Sequence, residues 1–121
     1  MTEERWIVGV DLSGPVNTDD TALAVLRWHG TGRYEWIDGR LGLGDRELVE
    51  AIAATAGDEG RLVVGLDAPL SYNPGGGDRP ADAQLRAELS SRGFSSNSVM
   101  PPTMTRMIYL TVRGMTVARR L

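Results

Sequence analysis

The chain has 121 residues, 41% of them hydrophobic, with no cysteine, one histidine and a formal net charge of −3. That length predicts a single domain over residues 1–121, large enough to bury a core without crosslinks. The composition excludes disulfides, thiolate metal sites, cysteine nucleophiles and histidine clusters.

The first segment reads WIVGVDLSG: an apolar run at residues 6–10 that closes on Asp11. Such a run between turn signals is the pattern of a strand buried on both faces. A polar loop, Ser13 to Asp20, leads to a second apolar run at 21–28, and the turn HGTGR leads to a short strand at 34–37. His29 stands beside Trp28 and Gly30 and reads as a solvated turn residue rather than a member of a catalytic triad. Asp45 is the expected N-cap of a helix with Leu48, Val49, Ile52 and Ala53 on one face, ended by Gly57 and Gly60. Residues 61–65, in RLVVGLDAPLS, form a fourth strand that closes on Asp67. A last strand entered through a helix implies a mixed sheet with strand 4 parallel to strand 1.

A Pro- and Gly-rich loop at 68–80 follows, and loops of that length are usually functional or disordered. Asp78 or Arg79 opens a helix that has Pro80 in its first turn and runs to Gly93. Residues 94–100 are polar and irregular. After Pro101 and Pro102 a last helix is expected from about 103 to 121, with Met107, Leu110, Met115 and Ala118 facing the core. Leu121 falls in that helical pattern without a cap, so truncation or completion by a partner chain is expected. No apolar stretch approaches the roughly 20 residues of a membrane span. The start MTEERW lacks a signal-peptide core, so a cytoplasmic location is expected.

Charge is unevenly spread. Residues 1–60 hold 5 Arg and 12 acidic residues, a net −7, whereas 61–121 hold 8 Arg and 4 acidic residues, a net +4. The basic half carries Asp67, which suits an anionic substrate there. Two carboxylates leaving parallel strands at one sheet edge sit where open α/β sheets place ligands. With no Cys and no second His, they could hold Mg²⁺ or Mn²⁺, which take oxygen ligands, for phosphodiester hydrolysis. An acid and base pair for glycoside hydrolysis is a second use, although Trp6, Trp28 and Trp36 read as strand residues rather than sugar platforms. A third is nucleotide binding, and a fourth is capping of loops through backbone amides.

The segments IVGVDLSGP, VVGLDAPLS, DRPADAQLR and SVMPPTMTRM resemble, in order, the family called domain of unknown function 429, from about Trp6 onward. Its members are held to be ribonuclease-H-like nucleases related to Holliday-junction resolvases. The resemblance implies a ribonuclease-H-like α/β fold: a mixed sheet in the order β-β-β-α-β followed by helices, incomplete at the carboxyl end. It implies Asp11 and Asp67 as catalytic metal ligands for Mg²⁺ or Mn²⁺, with Asp78 or Asp82 as stand-ins for a further ligand. It also implies Arg79, Arg86 and Arg106 as contacts to substrate phosphate. One departure stands out: such nucleases take a carboxylate from a helix near the carboxyl end, and no Asp or Glu follows Glu88 here. The leading expectation is a divalent-metal-dependent nuclease or phosphodiesterase acting on nucleic acid. The alternatives are an inactive nucleic-acid or anion binding module on the same scaffold and an actin-like nucleotide-binding protein. Expected partners are nucleic acid and a second copy or other chain closing the open edge, with no membrane.

Overall fold

The computed structural model describes residues 5–57 and 60–121. The charged start at residues 1–4 lies outside them. Among the described residues the order is β1 (Arg5–Asp11), β2 (Ala22–Trp28), β3 (Tyr34–Leu41), α1 (Asp45–Ala56), β4 (Arg61–Asp67), α2 (Pro80–Ser91) and α3 (Ile108–Ala118). Short 3₁₀ turns occupy Thr18–Asp20 and Ser96–Ser98. The four strands form one mixed sheet in the order β3-β2-β1-β4. The β1–β2 and β2–β3 pairs are antiparallel, and β4 lies parallel to β1. This is the expected α/β arrangement, and it is consistent with a ribonuclease-H-like fold.

Alternation along the strands decides which face is buried. Val8 and Val10 of β1 and Leu23 and Val25 of β2 point to one side. There they meet Leu48 and Ile52 of α1 and Val117 of α3, while Leu62, Val64 and Leu66 of β4 border the same cluster. The opposite face carries Ile7, Gly9 and Asp11, Ala22, Ala24 and Leu26, and Val63, Gly65 and Asp67. No helix covers it among the described residues, and Val63 on it is 63% exposed. The expectation of strands buried on both faces is therefore corrected, because α1 and α3 pack on a single side. β3 runs four residues beyond the expected strand, to Leu41.

The helices also differ from their sequence reading in instructive ways. Gly44, not Asp45, caps α1, and Asp45 becomes its first helical residue. Gly57 ends it with φ 57°, a left-handed value natural to glycine. α3 is shorter than expected and is turned about its axis. Its buried residues are Thr111, Arg113, Gly114 and Val117, whereas Met107, Leu110, Met115 and Ala118 are only partly buried. The reason is Gly114. A methyl group there would lie 2.7 Å from Cβ of Ala68 and 2.8 Å from the carbonyl oxygen of Pro69, so glycine lets α3 approach the chain leaving β4.

Candidate functional site

Asp11 and Asp67 are the last residues of β1 and β4, and the parallel register makes them direct Cα partners. Partnered residues of adjacent strands project to the same face, so both carboxyl groups stand side by side on the uncovered face. Both are exposed. The next row inward is unusually small: Gly39, Ala24, Gly9 and Gly65 are partners across all four strands. A Cβ on Gly9 would meet nothing within 4 Å, so open space lies over the middle of that row. Beyond it stand Trp36, Leu26, Ile7 and Val63. The result is a depression of about 850 Å³ whose lining includes Asp11, Asp67, Gly9, Ala24, Gly65 and Trp36.

Trp36 reaches this depression through a register shift. Leu26 partners Trp36 and Val25 partners Asp38, which leaves Ile37 as an extra residue. That bulge returns Trp36 to the face of Gly39, although the two are three positions apart in the chain. Its ring packs so closely that a Cβ on Gly39 would sit 2.6 Å from the ring. The indole thus closes the β3 end of the trough and leaves the carboxylate end open.

Asp78 and Asp82, expected as stand-in ligands, are engaged otherwise. Both oxygens of Asp78 accept from Arg86, the Nη2 bond at 2.8 Å. Arg86 also donates from Nε to the carbonyl of Ser96 and from Nη2 to that of Val99, tying α2 to the segment after it. Asp82 is buried and accepts from Nε and Nη2 of Arg79, both at 2.7 Å, and from the Arg79 amide at 2.9 Å. That makes a capping box at the start of α2. Arg79 spends Nη1 on Ser71. Hydrogen bonding from Arg86 holds the Asp78 carboxyl below its usual range, and hydrogen bonding from Arg79 does the same for Asp82. Charge-assisted bonds favour the ionised acid. Arg79 and Arg86 therefore neutralise neighbouring carboxylates and brace the loop.

Arg106 differs. It is exposed, lies two residues before α3 rather than in its first turn, and makes no ion pair or hydrogen bond with the described residues. It lines a second depression, of about 1060 Å³, with Ser96, Asn97 and Thr103. His29 is a half-exposed turn residue whose Nε2 meets Glu35 at 2.7 Å. Among the described residues, no group of three acidic or histidine side chains is placed to hold a metal ion. The pair Asp11 and Asp67 offers two hard oxygen donors.

A residue missed in the sequence is Arg113. Only 2% of its side chain is exposed, yet each guanidinium nitrogen is bonded. Nε donates to Asp45 at 2.7 Å, Nη1 to the Ser13 carbonyl at 2.8 Å and to Thr21 Oγ1 at 2.7 Å, and Nη2 to the Leu43 carbonyl at 3.0 Å. Burial of a charge is tolerable only when it is paired and bonded in this way. The available signal was a lone charge beside a glycine inside the apolar stretch YLTVRGMTV.

A family model described as Protein of unknown function (DUF429) matches residues 9–121. The chain belongs to the DUF429 family. The match takes in the end of β1 with Asp11, all of β4 with Asp67, all three helices of this DUF429 chain and the segment holding Arg106. No curated protein matches the chain, and no solved structure does. No helix among the described residues is long and apolar enough to cross a membrane.

Proposed function

We propose that this DUF429 chain is a cytoplasmic, divalent-metal-dependent nuclease or phosphodiesterase acting on nucleic acid. The observation that supports it is the in-register pairing of Asp11 with Asp67 at the open sheet edge. Exposed carboxylates of this kind suit Mg²⁺ or Mn²⁺, and a site with few protein ligands suits Mg²⁺, which keeps several waters and binds substrate phosphate directly. Such an ion, when bound, supplies a water activated for attack and charge stabilisation at the leaving oxygen.

The chain's own residues would do the rest. Asp11 and Asp67 hold the ion. The trough beside them admits a flat group against its glycine floor, and Trp36 offers a stacking surface at the far end. Arg106, unpaired among the described residues, contacts a phosphate of the bound strand. Arg79 and Arg86 shape the loop instead. The outer position of β4 in the sheet supports an oligomeric form in which a second copy or another chain pairs with that edge.

Incubation with Mn²⁺ and labelled single-stranded, duplex and branched DNA and RNA tests the reading. Cleavage that Asp11→Asn and Asp67→Asn each abolish is the expected result. Cleavage surviving both substitutions would remove those residues from the site. A second reading, a binding module without turnover, is favoured by the lack of a third clustered acid among the described residues. Salt-dependent binding without cleavage would decide for it. Micromolar binding of ATP with Mg²⁺ would instead favour an actin-like nucleotide-binding protein.

A further inference from the structure

We infer that Arg113 and Gly114, consecutive residues of α3, are the positioning residues that hold the two chain exits beside Asp11 and Asp67, whose own spacing the β1–β4 ladder sets. The inference rests on reading those two aspartates as the metal site. Each carboxylate is followed by a chain segment that leaves the sheet, and each segment is held by one of these two residues. Arg113 donates to the Ser13 carbonyl, two residues past Asp11, and to Thr21, the residue before Ala22, which is the β2 partner of Asp11. Ser13 adds to this anchor, since its own amide donates to Thr21 Oγ1 and the two hydroxyls lie 2.7 Å apart. Gly114 receives Ala68 and Pro69, the two residues past Asp67.

The two contacts work by different physics. The Arg113 bonds are directional and engage all three guanidinium nitrogens, so they fix the β1 exit in both distance and orientation. The Gly114 contact is steric: absence of a side chain sets how near the β4 exit lies to the same helix. Because the residues are adjacent on a rigid helix, the separation of the two exits is carried by one structural element. The same guanidinium bonds Asp45 and the Leu43 carbonyl, which locks this end of α3 to the start of α1. Metal sites lose affinity when supporting residues move their ligands, typically 10–100-fold.

The test uses the intact chain, which has no cysteine, so a nitroxide pair can be placed by V16C and Y72C on exposed positions of the two exit loops. Pulsed electron paramagnetic resonance reads their separation without metal, and titration with Mn²⁺ reads binding. The variants are R113K, which keeps charge but loses the fork, and G114A, with A68G/G114A as a rescue that removes one of the two clashing atoms. Circular dichroism selects variants that remain folded, and G114A serves if R113K does not. The expected result is a broadened label distance and Mn²⁺ binding weaker by about 10–100-fold, partly restored in A68G/G114A. A folded R113K or G114A with unchanged distances and unchanged Mn²⁺ binding would overturn the inference. If the parent chain binds no Mn²⁺ while the variants still change the label distance, the metal reading falls and the positioning role stands.

Discussion

Asp11 and Asp67 end two parallel strands in the same register and on the same face, so two like charges face each other across a single strand spacing. Like charges directly opposed on neighbouring strands destabilise the pairing. Asp11→Asn is therefore expected to raise the melting temperature slightly in metal-free buffer. With Mn²⁺ the order reverses: the parent chain gains stability by mass action, and the variant does not. Paired thermal melts with Mn²⁺ and with a chelator check both signs.

The capping box of α2 makes a second prediction. Asp82→Ala removes two bonds from Arg79 and the bond from its amide, and leaves a guanidinium beside an emptied, buried site. The expected loss is about 1–3 kcal/mol, read from urea unfolding. Glu88→Ala, which breaks only an exposed pair with Arg92, is expected to stay within about 0.5 kcal/mol of the parent.

Acid sensitivity follows from the same loop. Asp78 and Asp82 have carboxyl groups held below 3.8 by Arg86 and Arg79 respectively. A lowered folded-state value means the folded form binds protons less readily than the unfolded one. The stability they contribute is thus complete above about pH 4 and is lost as pH falls through the folded values. Unfolding midpoints measured from pH 6 down to pH 2 are expected to fall below pH 4, and to fall less in Asp78→Asn.

Arg106 and Arg86 separate binding from bracing. Arg106→Ala is expected to leave stability unchanged while weakening nucleic-acid binding and lowering the salt slope by about 1. Arg86→Ala is expected to destabilise, because three protein partners lose their donor at once. Fluorescence anisotropy at several salt concentrations, beside thermal melts, distinguishes the two outcomes.

Core packing offers a control far from the aspartates. Leu48 of α1 is fully buried against the sheet. Leu48→Ala is expected to cost about 2–5 kcal/mol in chemical unfolding.

Much of this arrangement was legible in the chain. Both aspartates announced themselves because each ends an apolar run, and the strand–helix–strand order fixed their strands as parallel neighbours. α3 was misread because periodicity weighs apolar residues, whereas its deepest positions are Thr111, Arg113 and Gly114. A glycine inside a helix costs about 1 kcal/mol relative to alanine, so a close contact was its readable meaning. The Arg79–Asp82 pair has the i, i+3 spacing of neighbours on a helix, and its bracing role was open to sequence. The Arg86–Asp78 pair depends on the path of the loop, which local pattern does not encode. The single covered face was equally invisible, since an apolar strand looks alike whether one layer or two enclose it.

The bulge at Ile37 gives the chain an optical reporter of its own. Trp28 lies under Arg5 and Trp6 under Arg27, with guanidinium carbons 4.5 and 5.2 Å from the ring centres. Trp36 alone among the three indoles lines the trough beside the aspartates, and it is 63% exposed. Any molecule that fills the trough must exchange water around that indole, shifting its emission and shielding it from iodide. Occupancy can therefore be followed in unlabelled protein, with Trp36→Phe as the blank.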